Sequence, residues 1–194
     1  MTILVKRLAP LHRDALVQHF ASLGAEDRRL RFGNMMSDAG VAEYVRGIDF
    51  HRDAVFGVFD DDLGLVGVTH VALSDGMAEL GVSVLPGYRG RGVGKALFDR
   101  GGMFARNQRV RVLFMHCLTE NKAMMHIARN SKMRIVAASG EADAHLELPP
   151  GDHASITREL MQEQIALFDY ALRSQVLSAR RIRDAAFGKP ETGA

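Results

Sequence analysis

Leu11, Ala15, Leu16, Phe20 and Leu23, with His19 among them, recur at helical spacing. That is the stripe of an amphipathic helix, and Gly24 stops it. Ahead of it, Ile3, Val5 and Leu8 predict a first strand that Pro10 ends. Val41, Tyr44, Val45 and Ile48 form a second helical stripe, with Ser37 or Asp38 as its N-cap. A short arginine-rich segment, Glu26-Asp27-Arg28-Arg29-Leu30-Arg31-Phe32, lies between the two stripes.

From residue 54 the pattern becomes strand-like. Ala54 to Phe59, Leu65 to Leu73 and Met77 to Leu85 are apolar runs separated by the turns Asp60-Asp61-Asp62-Leu63-Gly64 and Ser74-Asp75-Gly76. They predict an antiparallel meander. A helix is expected from about Gly92 to Asn107, then a central strand from Arg111 to Leu118. A helix over Asn121 to Ser131 and strands over Met133 to Ala138 and Ala144 to Leu148 complete the order βααβββαβαββ. This is an α+β fold with a mixed sheet.

Pro149-Pro150-Gly151-Asp152 closes this unit, so the first domain is assigned to residues 1–150. Met161, Ile165, Phe168, Leu172, Val176, Ala179, Ile182 and Ala186 then mark one long helical stripe over 151–187. The stripe either packs on the parent domain or meets another chain, as in a homodimer, and spacing alone leaves both open. Residues 188–194 are expected to fray.

Composition narrows the class. At 194 residues, 47% hydrophobic and 25% charged, the chain has the make-up of a one-domain globular protein with a substantial core. No apolar run reaches the length of a membrane span, and the N-terminus reads as a strand rather than a signal peptide. A single cysteine excludes an intramolecular disulfide and suits a reducing cytoplasm. The formal net charge of +2 points away from nucleic acid. The eight histidines show no HxxxH or Cys/His grouping, so no metal is expected. From Arg106 to Arg134, however, seven basic residues face one acid, Glu120. They either meet the phosphates of a ligand or form a solvated face.

The chemistry concentrates in Val84-Leu85-Pro86-Gly87-Tyr88-Arg89-Gly90-Arg91-Gly92-Val93-Gly94-Lys95-Ala96-Leu97. A strand enters a basic, glycine-rich turn that opens a helix. Gly90, Gly92 and Gly94 let the backbone approach an anion, and the free N–H groups of the first helical turn point at it. A Walker A loop would need Gly where Arg89 stands and Ser or Thr where Ala96 stands. A dinucleotide fingerprint starting at Gly90 would need Gly or Ala in place of Lys95. Arg89-Gly90-Arg91-Gly92-Val93-Gly94 instead resembles the acyl-CoA loop of the GNAT superfamily of N-acyltransferases, and the resemblance extends over residues 1 to about 148. Its second signature is the Asn-led helix Asn121-Lys122-Ala123-Met124-Met125-His126-Ile127-Ala128. Glu26 to Phe32 and Ile48 to Asp53 resemble GNAT domains of the bacterial protein-lysine acetyltransferase type.

The resemblance implies acetyl-CoA as cosubstrate and a primary amine, on a small molecule or a protein lysine, as acceptor. It implies main-chain bonds to the pantetheine arm from Val82, Ser83 and Val84. The pyrophosphate would rest on Arg89, Gly90, Arg91, Gly92, Val93, Gly94 and Lys95, with Asn121 assisting. Glu79 is the candidate base; an ordinary solvent-facing strand glutamate is the alternative. His116 is a second candidate, weighed against a hydrogen-bonded core histidine. Arg28, Arg29, Arg31 and Asp49 either line the acceptor cleft or brace it. Two departures matter. Ala128 stands where many such enzymes carry a tyrosine that protonates the leaving thiolate, and Lys132-Met133 replaces the usual Gly-Phe. A non-catalytic acyl-CoA-binding module is therefore the competing reading.

Overall fold

The computed structural model describes residues 3–187; the tail expected to fray, 188–194, lies outside the described residues. Strands β1 (Lys6–Arg7), β2 (Ala54–Phe59), β3 (Leu65–Ser74), β4 (Met77–Val84), β5 (Val112–Leu118), β6 (Arg134–Ala138) and β7 (Glu141–Glu147) form one sheet in the order β1-β2-β3-β4-β5-β7-β6. Every pairing is antiparallel except β4 with β5. The helices are α1 (Arg13–Ala21), α2 (Ala25–Phe32), α3 (Asp38–Gly47), α4 (Val93–Asn107), α5 (Lys122–Asn130) and α6 (His153–Phe187). The expected α+β class and mixed sheet hold. The arginine-rich segment is a helix of its own, α2, closed by Gly33 at φ +77°.

The meander follows from its residues. Strand β2 is buried over Ala54 to Val58 because its alternate side chains enter different cores. Phe56 packs against α4 with Leu80, Leu97 and Leu113. Val55 packs under α1 and α3 with Leu16, Phe20, Val41 and Val45. A two-sided sheet needs such continuous apolar runs. Ser37 caps α3, its Oγ accepting from the Gly40 N–H at 3.2 Å. Gly101 lets α4 lie close on the sheet: a Cβ there would stand 2.7 Å from Leu80.

The long helix α6 runs 35 residues. It docks through its small and polar face. Ala166 is buried, and Glu159 and Glu163 grip the buried guanidinium of Arg100 on α4 at 2.8 and 3.0 Å. Tyr170 packs edge-on to Phe59, with the rings 4.9 Å apart. The apolar stripe read from the sequence faces outward instead: Met161, Ile165, Phe168, Leu172, Val176 and Ile182 are all exposed. Packing on the parent domain does not account for that stripe.

Candidate active site

Strand β4 is the hinge of the site. It pairs with β5 only at Met77–Val112, Ala78–Leu113 and Glu79–Phe114. Its pairing with β3 continues to Gly67–Val84. Beyond Glu79, β4 therefore follows β3 while β5 follows β7, and the sheet parts. The Leu85 N–H donates to the Val66 carbonyl at 2.9 Å. By alternation, the main-chain groups of Ser83 face β3, and those of Val82 and Val84 face the gap. The side chain of Ser83 turns to α1, where its hydroxyl lies 2.8 Å from His19 Nε2. His19 Nδ1 lies 2.9 Å from the Leu65 carbonyl, which can only accept, so Nδ1 carries the proton and Nε2 accepts from Ser83. Burial pushes the His19 imidazole down to about 4.

The gap holds a cavity of about 370 Å³. Its floor is the glycine loop. Gly90 and Gly92 take φ of +72° and +83°, a left-handed backbone that favours glycine. Gly92 is the N-cap of α4, and the first intrahelical bond runs from the Ala96 N–H to its carbonyl. The N–H groups of Val93, Gly94 and Lys95 thus belong to the open first turn of a 15-residue helix, where the dipole favours an anion. The loop's side chains are engaged elsewhere. Arg89 bonds the Val84 carbonyl at 3.0 Å and pairs with Asp27 of α2 at 2.7 Å, bridging the cavity's two walls. Arg91 lies over the Tyr88 ring, Val93 is buried in the core, and Lys95 pairs with Asp99 along the helix. Of the basic stretch from Arg106 to Arg134, Lys122 alone lines this cavity; Arg106 is held by Asp152 and the Pro150 carbonyl.

Asn121 also lines it, but its side chain is occupied. Oδ1 accepts from the Met124 N–H at 3.1 Å, capping α5, and Nδ2 donates to the Leu30 carbonyl of α2 at 3.2 Å. It ties the helices on either side of the opening. Ala128 is fully buried against the sheet and lines neither cavity, so the position of the missing tyrosine points into the core.

A second cavity, about 340 Å³, adjoins the first and shares Leu30, Arg31, Val82 and Met124 with it. Glu79 lines it with its side chain exposed. His116 lines it too, but on the surface: Nδ1 is 2.8 Å from Asp143 on β7. It is hydrogen-bonded, yet not a core residue. Cys117 is buried, and desolvation pushes its thiol pKa up.

The opposite wall carries a polar chain that sequence reasoning missed. His70 Nε2 lies 3.2 Å from Asp53 Oδ2, and Nδ1 lies 2.8 Å from the Tyr44 hydroxyl. The Tyr44 oxygen accepts in turn from Arg31 Nη2 at 3.0 Å. Burial first, then the Arg31 charge, lowers the His70 pKa. The neutral ring then donates from Nε2 to Asp53 and accepts a hydrogen bond from the Tyr44 hydroxyl at Nδ1. Burial would raise the Asp53 pKa, but hydrogen bonds from Arg52, the Leu73 N–H and His70 outweigh it and hold it low. Tyr44 sits in an apolar helical stripe, so its hydroxyl gave the only signal. The other candidate wall residues brace rather than line. Arg28 bonds the Leu23 and Ala21 carbonyls and pairs with Asp38; Arg29 pairs with Glu26 and Glu120; Asp49 caps a turn at the His51 N–H.

A mixed sheet that parts beside a glycine-lined helix N-terminus, with a second cavity opening from the first, defines an acyltransferase architecture. The chain belongs to the acetyltransferase (GNAT) family, whose family model matches residues 25–130. None of the curated proteins matches it. Among solved structures it is similar to the GNAT domain of PAT from S. lividans, at TM-score 0.63 and 18% identity over 74% of this chain and 89% of that one. A ribosomal-protein-alanine N-acetyltransferase from Brucella melitensis aligns at TM-score 0.61 and 17% identity, covering 75% and 100%. A phosphinothricin acetyltransferase from Sinorhizobium meliloti, solved with acetyl-CoA, aligns at 0.62 and 14%, covering 79% and 95%. At these identities the likeness is one of fold. Among the described residues, no three His, Cys, Asp or Glu side chains gather as metal ligands, and no helix is long and apolar enough to cross a membrane.

Proposed function

We propose that this protein is an acetyl-CoA-dependent N-acetyltransferase that moves an acetyl group to a primary amine by direct transfer in a ternary complex. The observation that carries this reading is the shared wall of the two cavities. One holds a free strand edge and an anion-binding helix terminus; the other holds Glu79; Val82 belongs to both. A thioester bonded along Val82 and Val84, with its pyrophosphate on the backbone from Gly90 to Lys95, would present its carbonyl where they meet.

The chemistry asks little more of the protein. The amine attacks the thioester carbonyl and passes a proton to Glu79, the C–S bond breaks, and the thiolate leaves with a proton from water. A main-chain N–H of the β4 edge polarises the carbonyl. Asn121 acts by tying α2 to α5 across the entrance. Arg89 and Lys95 are engaged with Asp27 and Asp99, so the phosphates would rest on the backbone N–H groups and the helix dipole. The buried Ala128 favours one competing reading, a module that binds acyl-CoA without turning it over. The lone cysteine supports a cytoplasmic setting. The outward stripe of α6 supports a homodimer through that helix.

Isothermal titration with acetyl-CoA, followed by thiol-release assay over a panel of amines and lysine peptides, tests the reading. Binding with amine-dependent release is expected. Binding without release favours the non-catalytic module, and absence of binding by folded protein overturns both.

A further inference from the structure

Of the four residues shared by the two cavities, only Arg31 is charged, and that charge is unmatched. Among the described residues no carboxylate pairs with it. Within the same residues its one polar bond runs from Nη2 to the Tyr44 hydroxyl, and its Nε is buried without a partner. Arg28 and Arg29, its neighbours on α2, both end on carboxylates. Arg31 instead lies among aromatic rings, its Cζ 5.7, 4.9 and 5.7 Å from the centroids of Phe20, Phe32 and Tyr44. Its other side rests on β4 at Gly81, where an added Cβ would stand 2.6 Å from Cζ. Any side chain at position 81 would displace the guanidinium.

Aromatic faces hold a cation in place but leave its N–H donors unfilled. A half-buried guanidinium with spare donors suits a planar oxyanion, which it grips through two parallel hydrogen bonds. Glu79 projects from the same face of β4, two residues before Gly81, so it sits ~7 Å along the strand from the guanidinium's resting place. The cleft therefore presents a carboxylate and, one strand repeat away, an unpaired guanidinium.

The geometry points to an acceptor that carries both an amine and a carboxylate, a small amino acid, with Arg31 gripping the carboxylate while the amine faces Glu79. The fate of the amine rests on the acetyltransferase reading; the grip on the carboxylate does not. A cavity of about 340 Å³ suits a molecule of this size.

The test compares matched pairs, the common α-amino acids and their α-amides, in two measurements on the whole chain. The first is equilibrium binding followed by amide NMR shifts. The second is thiol release from saturating acetyl-CoA. At least one acid is expected to bind ~10–100-fold more tightly than its amide, the range expected for charge-assisted hydrogen bonds. Arg31→Gln should close that gap, and Arg31→Lys, which keeps the charge but not the fork, should close it in part. Acids and amides binding alike to the native protein would overturn the proposal. So would an Arg31→Gln variant that keeps the gap, or one that loses acetyl-CoA affinity instead, since the guanidinium would then serve the donor. Arg31-dependent binding of acids without thiol release would leave the carboxylate site standing and remove the acetyltransferase reading.

Discussion

His19 on α1 and Ser83 on β4 are joined by a 2.8 Å hydrogen bond that anchors the free edge of the parted sheet. The bond needs a neutral ring, because Nε2 must accept. Burial lowers the imidazole pKa from 6.5 to about 4. The unfolded chain therefore takes up this proton first as pH falls. The His19 contribution is whole above pH 6.5 and is lost progressively down to about 4. Between pH 7.5 and 5 the loss is roughly 2 kcal/mol from this residue. Burial lowers His12 and His70 as well, so their contributions carry the same sign. Urea unfolding at the two pH values should show the drop, and His19→Asn should make it shallower by the share of this residue. An unchanged slope in that variant would place the effect elsewhere.

Glu79→Gln removes the proposed proton acceptor while keeping the shape of the side chain. Since the residue is exposed, the fold should be unaffected. Thiol release should fall by ~100-fold or more in kcat, with acetyl-CoA affinity unchanged by titration. A fall of less than about threefold would return Glu79 to the role of an ordinary strand residue and direct attention to Tyr44 and His70.

The outward face of α6 predicts self-association. Phe168 and Leu172 are 68% and 48% exposed at its middle, where an isolated helix face would be a liability. Sedimentation equilibrium should give twice the chain mass of 21.3 kDa. Phe168→Glu with Leu172→Glu should halve it without disturbing the parent domain, whose contact with α6 runs through Arg100, Ala166 and Tyr170. A native monomer at all loading concentrations would exclude the homodimer.

Lys132 follows the cap of α5 at φ +57°, in the left-handed region that favours glycine. Its side chain is exposed, so the substitution is tested in isolation. Lys132→Gly should relieve local strain and stabilise the protein by ~0.5–1 kcal/mol, after the added freedom of the unfolded chain is subtracted. For a chain of this size that is a rise of about 1–4 °C in Tm by calorimetry. A lowered Tm would mean that Lys132 makes a contact worth more than the strain.

Most of the fold is legible in the chain because its strands are buried and its turns are marked. The boundaries of β2 and the start of β3 follow directly from the apolar runs between Asp and Gly turns. The Asn121 cap and the glycine loop are equally local, since cap and loop chemistry depend on a few adjacent residues. Glu79 is legible as a candidate, but its exposure is not, because that depends on where the sheet parts.

What only the tertiary structure decided lies in the polar atoms of residues that read as apolar. His19 and Tyr44 occupy helical stripes and pack there, yet they turn polar atoms to partners far along the chain, His19 to Leu65 and Ser83 and Tyr44 to His70. The apolar stripe of α6 reads as a packing surface, but the pairing of Arg100 with Glu159 and Glu163 rotates it to solvent. Among three neighbouring arginines on α2, helix rotation sends two to carboxylates and Arg31 to the junction of two cavities. Hydrophobic periodicity and turn chemistry are properties of neighbours in sequence, so the chain states them outright. The partner of a charge is a property of neighbours in space, and only the folded packing assigns it.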